Sequence, residues 1–357
     1  MLVTTIIGIV ASLRGGLTLI VERRLRLVLK VHYRAEGQIP SAGGHDARTS
    51  PGEQVLVTQH HAFPERTVRV IDPFGAGGGV DVIARAVAES LSAAWRQRVT
   101  VENHPGAGST VAPAMVADAP ADGYTLLIDT SAHAYRAALE TKLSYQPLRN
   151  FAAVAALTSQ PYVLVAGARS GITTVAELVS AAQARPGEVR FASSGKGTGT
   201  HIAVEKLTRD LHITALHTPP GATDAITDVL EGILAGRTAY AMVPIPTATA
   251  RIQDGGLVAL GVSTTRRSRL LPEVPPLAEA GVEGFDFPIW YGIWAPSRTP
   301  PEIVSKLARD ISNALATAEL LEWLNRHDAD PMRMTQTEFA AFVESECERA
   351  TLLLSSD

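Results

Sequence analysis

A chain of 357 residues is long enough for two lobes of ordinary size, and its 46% apolar content is that of a soluble globular protein. A net charge of -4, with no long run of one sign after the first fifty residues, argues against a nucleic-acid partner. The single cysteine, Cys347, rules out an intrachain disulfide, and no apolar run reaches the roughly 18 residues of a membrane span.

Residues 1–62 do not read like the rest. Leu2 to Leu13 is apolar enough for the core of a signal peptide, about 12 residues, but no basic segment precedes it and no small-x-small cleavage site follows promptly. Arg23-Arg24-Leu25-Arg26 comes next, then a Gly-, Ser-, Pro- and His-containing stretch from Ala35 to His61 with little periodicity. The expectation is a disordered leader or a non-native start, with an atypical export signal or amphipathic anchor as the alternative. His60-His61 has no carboxylate or cysteine at ligand spacing, and no metal or cofactor is expected in this chain.

From Arg66 the pattern alternates between strand and helix. Val68, Val70 and Ile71 suit a buried strand, and Pro73-Phe74-Gly75-Ala76-Gly77-Gly78-Gly79 follows as a turn. Val80, Ile83, Ala84, Val87, Leu91 and Ala94 then fall at helical spacing, with Asp81 in the first turn where a carboxylate suits the helix dipole. Uncovered glycine amides beside that dipole make an anion-binding turn. Val99 to Val101 is a second strand ending at Glu102-Asn103. Gly106-Ala107-Gly108 leads to a helix over Ser109 to Ala117, and Tyr124 to Ile128 is a strand closed by Thr130-Ser131. Val154 to Leu157 and Tyr162 to Val165 are further strands.

The second half repeats this grammar. A helix over Thr174 to Ala184 stops at Pro186-Gly187, Val189 to Ala192 is a strand, and Ser193-Ser194-Gly195-Lys196-Gly197-Thr198-Gly199-Thr200 is a second glycine turn before a helix from His201 to Leu211. Strands at Ile213 to Leu216, Ala239 to Val243, Leu257 to Val262 and Phe287 to Trp294 and a helix from Asp224 to Leu234 continue it. The tail is helical over Pro301 to Ala316, Ala318 to Arg326 and Thr335 to Leu353, the last opened by a Thr335–Glu338 capping box. Repeated strand–helix units predict an α/β fold with mostly parallel sheets. Two glycine turns that each join a strand end to a helix start would bring two helix N-termini to one cleft if they face each other.

Other motifs point away from catalysis. Gly75-x-Gly77 with Glu102 on the next strand is the outline of a dinucleotide-binding turn, so an NAD(P)-dependent oxidoreductase using Gly75 to Gly79 is the rival reading. Against it, Val80 occupies the third glycine position and no hydride-transfer site follows. Ser194 to Thr198 is not a nucleotide-triphosphate loop, because Arg190 and Gly197 replace its required glycine and hydroxyl. No Gly-x-Ser-x-Gly or His-Glu-x-x-His occurs. His133, His201 and His217 suit buried, hydrogen-bonded roles, and Asp81 suits a helix start paired with Arg85 rather than a general base.

Taken in order, Arg69 to Phe74 with Ala76 to Arg85, Val101-Glu102-Asn103 with Pro105 to Gly108, Asp122 to Leu127, Phe191 to Thr198 with His201, Leu271 to Pro275, Glu279-Ala280-Gly281 and Trp290 to Pro296 form a set. That set resembles the Bug-type (TctC-like) substrate-binding proteins of tripartite tricarboxylate transporters, from about Phe63 to the C-terminus. The resemblance implies a non-enzymatic, periplasmic, monomeric receptor of the two-lobed type II-like binding-protein class. Lobe 1 would be 63–161 plus 286–357 and lobe 2 would be 162–285, joined by a hinge. It implies a small mono-, di- or tricarboxylate as ligand and membrane permease subunits as partners. Carried over, the ligand-binding residues are Phe74, Gly75, Ala76, Gly77, Gly78, Asp81, Thr130, Ser131, Ser194, Gly195, Gly197 and Thr198. The chain departs from the family pattern at Thr218 to Thr223, at His133 to Arg136 and at Gly199-Thr200, positions that line the distal pocket in such proteins.

Overall fold

The computed structural model describes residues 63–106, 108–139, 142–218 and 226–354. The leader with Leu2 to Leu13 and His60-His61, Ala107, Pro219 to Thr223 and Asp224 lie outside the described residues.

β1 (Val68–Asp72) forms on the predicted run and runs straight into the glycine turn. α1 (Gly79–Trp95) buries Val80, Ile83, Ala84, Val87, Ala88 and Leu91; Ala94, expected on that stripe, is exposed, because the drift of a 3.6-residue repeat brings Ala88 inward instead. β2 (Val99–Asn103), α2 (Val111–Ala117) and β3 (Thr125–Thr130) follow, and then α3 (Ala132–Ala138), a short helix not foreseen. β4 (Phe151–Gln160) and β5 (Tyr162–Gly167) are separated by Pro161 alone. α4 (Val175–Ala184), β6 (Arg190–Ala192), α5 (Gly199–Asp210), β7 (Leu216–Thr218), α6 (Ile226–Leu234), β8 (Tyr240–Pro244), α7 (Ile245–Gln253) and β9 (Leu257–Val262) build the middle of the chain. β10 (Ile289–Pro296), α8 (Pro301–Leu315), α9 (Ala318–Arg326), β11 (Asp330–Pro331) and α10 (Gln336–Leu354) complete it. The expected capping box is present, with Glu338 N donating to Thr335 Oγ1 at 3.2 Å and Thr335 N to the Glu338 carboxylate at 2.8 Å.

The strands form two sheets. The first has the order β11-β4-β10-β3-β1-β2 and the second β7-β6-β8-β5-β9. The expectation of mostly parallel sheets is corrected here: both are mixed. β1 pairs in parallel with β2 and β3, and β6 with β7 and β8, as strand–helix–strand units require. β10 is antiparallel to β3 and β4, β11 to β4, and β5 to β8 and β9. β4, β5 and β10 are the strands by which the chain passes between sheets. β4 and β5 lie in different sheets with only Pro161 between them, so no crossover helix joins them.

β5 shows how the cores are divided. Tyr162, Leu164 and Ala166 point into the larger core and Val163 and Val165 into the smaller one, the alternation of a strand buried on both faces. At the other end, Trp290 Nε1 on β10 donates to the buried Glu346 of α10 at 2.9 Å, fixing the last helix against the first sheet. Near the sheet crossing, Arg266 and Arg269, which follow β9, pair with Asp328 and Asp330 beside β11. Asp328 also accepts from Ser268 Oγ at 2.5 Å.

Candidate functional site

The first glycine turn is held from beneath. Phe74 N donates to Asp72 Oδ1 at 2.8 Å, and Asn103 Nδ2 donates to Asp72 Oδ2 at 3.0 Å and to Phe74 O at 3.1 Å. Gly77, with φ of 78°, donates its N–H to Asp81 Oδ2 at 2.9 Å, and Gly78 N reaches Gly75 O at 3.3 Å. Arg85 pairs with Asp81 at 2.8 Å and donates to Asn103 Oδ1 at 3.1 Å. Asp81 therefore holds the turn's shape. Burial pushes its carboxyl up, but Arg85, Gly77 N and Asn103 together outweigh that and hold it below the usual range. Asp72 goes the other way: burial raises it to about 8, with Asp81 and Asp129 adding to the rise. Gly75, Ala76 and Gly77 stay exposed and Phe74 is half-buried.

The second turn is a knot of hydroxyls. Ser194 N donates to Thr200 Oγ1 at 3.0 Å, Ser194 Oγ lies 2.8 Å and Thr198 Oγ1 3.0 Å from the same oxygen, and Thr198 Oγ1 donates to Gly195 O at 2.7 Å. Gly195 and Gly197 sit at φ of 129° and 83°, where a side chain would strain the backbone. Ser193 Oγ is 2.8 Å from His217 Nε2, which ties the turn to β7, and the His201 ring lies 4.7 Å from that of His217. Burial holds both histidines below their ordinary value, His201 at about 3, with Lys196 contributing to each. Both rings are neutral at pH 7. His133 is buried as expected, 4.4 Å from Trp294 in a stack, its Nε2 3.0 Å from Pro147 O.

Neither turn caps its helix with a side chain. The N-cap residues are Gly78 for α1 and Thr198 for α5; neither accepts a helix amide through a side chain, and their carbonyls take Val82 N and Ile202 N, each at 3.0 Å. α4 makes the contrast: Thr174 Oγ1 accepts from Glu177 N at 3.1 Å and the Glu177 carboxylate reciprocates. The amides that open α1 and α5 therefore get no acceptor from a capping side chain, although His201 N finds Thr198 O at 3.0 Å.

The two uncapped ends meet the same group of phenols. A methyl built on Gly79 would lie 3.1 Å from Tyr291 Oη, and one built on Gly199 would overlap Tyr162 Oη and lie 3.1 Å from Ser131 Oγ. Burial, with Tyr135 and Tyr291 beside it, pushes the Tyr162 phenol up, and Ser131 Oγ stands next to the hydroxyls of both Tyr135 and Tyr162. Tyr291 Oη donates to Gln160 Oε1 at 2.8 Å. Leu139, after α3, packs on Gly197. Ser131 is placed by the corner between β3 and α3. Thr130 Oγ1 accepts from Ala132 N at 3.1 Å, and the buried Asp129 accepts from Thr130 N at 2.8 Å and from Arg136. Thr130 is therefore a local cap, while Ser131 faces the start of α5.

The structure thus gathers Ser131, Gly79 and the second turn around the phenols, and places Asp81 and Thr130 behind them as supports. Tyr162, Tyr291, Tyr135, Gln160 and Leu139 were not singled out by sequence. Tyr291 lay in a quoted motif, but nothing in the local pattern marks Tyr162 beyond a polar tip at the head of an apolar strand. Glu102, the acid a dinucleotide would need, is instead engaged by Arg69 through bonds of 2.7 and 2.6 Å.

Comparison with known proteins identifies a family and a set of similar folds. The family described as "Tripartite tricarboxylate transporter family receptor" (TctC) matches residues 83–356. BugT of Bordetella pertussis is 32% identical over 291 residues, 80% of this chain and 88% of that protein. Among solved structures, Rpa4515 of Rhodopseudomonas palustris with adipate superposes with a TM-score of 0.76 at 28% identity, covering 82% of this chain and 97% of that one. MatC of the same organism, with bound malate, gives 0.74 at 30% identity, covering 82% and 99%. The periplasmic binding protein BugD gives 0.74 at 26%, covering 82% and 98%.

Proposed function

This chain is a member of the tripartite tricarboxylate transporter receptor (TctC) family, and on that premise we propose that it captures a small organic carboxylate between its two glycine turns and delivers it to a membrane permease. The observation that carries this reading is the convergence of two helix starts, both without a side-chain cap, on one cluster of neutral hydroxyls. The strand division supports lobes of 63–161 plus 286–357 and of 162–285, each around one sheet, closing over the ligand. Adipate and malate, named with two of its structural neighbours, support a small carboxylate as the ligand class. The receptor acts in the periplasm as a monomer and performs no chemistry on its ligand.

The magnitudes suffice without an arginine clamp, since Arg85 and Arg136 are committed to Asp81 and Asp129. Burying a carboxylate costs several kcal/mol unless its lone pairs are filled. Charge-assisted hydrogen bonds contribute roughly 1.5–3 kcal/mol each. Each helix end adds up to about 2 kcal/mol in a partly buried geometry. A handful of these offsets desolvation and leaves a micromolar complex, on the order of -8 kcal/mol. An anion that touches both turns also gives closure its driving force, because both sets of donors reach it only when the lobes are together.

Calorimetry with mono-, di- and tricarboxylates tests the reading, with NAD(P) as the control. Saturable binding of at least one acid and none of the nucleotide is expected. Silence across the acids, or a nucleotide response, overturns it.

A further inference from the structure

Gln160 ends β4, one residue before the chain leaves the first sheet, and it is 5% exposed. Both ends of its amide are engaged. Nε2 donates to His327 O at 2.7 Å, and Oε1 accepts from Tyr291 Oη at 2.8 Å. The first bond fixes the direction of the second. A backbone carbonyl only accepts, so the amide nitrogen must face His327 and the amide oxygen must face Tyr291. The one proton of the phenol is therefore committed to Gln160, and Tyr291 keeps only lone pairs for any other neighbour. Burial, with Asp72 adding to it, pushes this phenol far above its ordinary range, so the proton is present at physiological pH.

Those lone pairs lie at the start of α1. A methyl built on Gly79, the first residue of that helix, would be 3.1 Å from Tyr291 Oη and would meet nothing else outside its own helix within 4 Å. Gly78 and Gly79 are half-buried, so solvent reaches this end of the helix. The amides there get no acceptor from a capping side chain, and among the described residues no group donates to Tyr291 Oη. Donors and an acceptor thus stand side by side. We infer that Gln160 is a positioning residue that holds Tyr291 as an acceptor, and that the receptor consequently prefers a 2-hydroxy acid to the same acid without its hydroxyl. This inference rests on the receptor reading and adds to it the second functional group of the ligand.

The preference follows from which groups give and which take. A plain carboxylate only accepts, so it serves the amides and sets its lone pairs against those of the phenol. A 2-hydroxy acid serves both, with its carboxylate on the amides and its hydroxyl donating to Tyr291. A site arranged to hydrogen-bond a hydroxyl discriminates against the analogue that lacks it, because the acceptor is then left without a partner. Gln160 acts through Tyr291, so changing it should alter the choice between acids and not merely the strength of binding.

The test is calorimetry on the full chain with three matched pairs: lactate and propionate, malate and succinate, citrate and tricarballylate. Wild type should bind the hydroxy acid of at least one pair about 10-fold more tightly than its parent. Tyr291→Phe removes the accepting oxygen and should bring that pair within about threefold. Gln160→Leu releases the phenol proton to turn toward the ligand and should do the same. Gln160→Glu still accepts from Tyr291 and should keep the wild-type preference. A purely structural role for Gln160 would lower both members of a pair together, and that result overturns the inference. Should Gln160→Leu fail to fold, Tyr291→Phe and Gln160→Glu decide. Acids bound with no preference in any pair, or a preference that survives Tyr291→Phe, overturn this inference and spare the receptor reading. Wild type binding none of the six acids overturns both.

Discussion

Gly77 N donates to Asp81 Oδ2 at 2.9 Å, and this bond ties the exposed arc of the first turn to the first turn of α1. The arc's ends are closed by backbone contacts, but its middle is shaped by this carboxylate and by Arg85 on the far side of it.

Asp81→Ala should therefore loosen the turn, with a loss of about 1–2 kcal/mol in stability and a fall of roughly tenfold in carboxylate affinity. The pH sign follows from its depressed value. A carboxyl held below its ordinary 3.8 contributes stability above that pH and loses it as pH falls through the folded value. Melting curves of wild type should drop more steeply below pH 4 than those of Asp81→Ala.

Asp72 has the opposite sign. Its folded value of about 8, against 3.8, means that the folded state holds one more proton than the unfolded state between those limits. Stability then falls as pH rises from about 4 to about 8 and is level above. Asp72→Asn, which cannot ionise, should flatten that slope in denaturant titrations, and an unchanged slope would exclude Asp72 as its source.

Gly199 touches Tyr162 closely enough that a methyl there would overlap the phenol oxygen. Gly199→Ala should cost about 1–3 kcal/mol through overpacking. Tyr162→Phe in the same chain should recover part of that loss, since the ring carbon behind the oxygen is 3.5 Å from the methyl position. A double-mutant cycle by thermal melting reads the coupling, and strictly additive losses would mean the two residues are not in contact.

The two turn glycines offer a steric probe, and the choice between them matters. A methyl on Gly78 would lie 3.2 Å from Gly75 O and disturb the turn itself, whereas one on Gly75 meets nothing within 4 Å. Gly75→Val is expected to abolish carboxylate binding while its melting temperature stays within a few degrees of wild type. Gly78→Val should lose both binding and stability.

Asp328, 1% exposed, receives Arg266, Arg269 and Ser268 from the segment after β9. Asp328→Ala would leave Ser268 Oγ and the Arg269 amide without their acceptor, while the arginines keep Asp330, and should cost about 1–3 kcal/mol, read as a lowered urea midpoint.

Much of the fold was readable because its signals are local. The glycine turns, the apolar stripe of α1 and the Thr335–Glu338 box each lie within a few adjacent residues. α3 escaped notice because Ala132 to Ala138 is too short to show a full helical repeat, and α7 because it buries only Ile245 and Ala248, too few to mark an apolar stripe. β7 begins at Leu216 rather than Ile213, since its register is set by Phe191 and Ala192 of β6 and not by its own residues. The antiparallel strands were missed for the same kind of reason: direction is a property of where the chain has come from. In the candidate site, the amide-bearing turns were visible, but the phenols were not. Tyr291 and Gln160 are 131 positions apart, and no local pattern links them.

β10 occupies the centre of the first sheet, between β3 and β4, although every strand of the second sheet precedes it in the chain. A ribosome therefore releases β1 through β9 while the first sheet still has a vacant lane. The second sheet, whose five strands are consecutive, can close on the nascent chain, whereas the first cannot seal its core until about the last fifth of the chain emerges. The N-terminal anion turn is among the earliest parts of the described chain to be made and among the last to acquire its rigid backing.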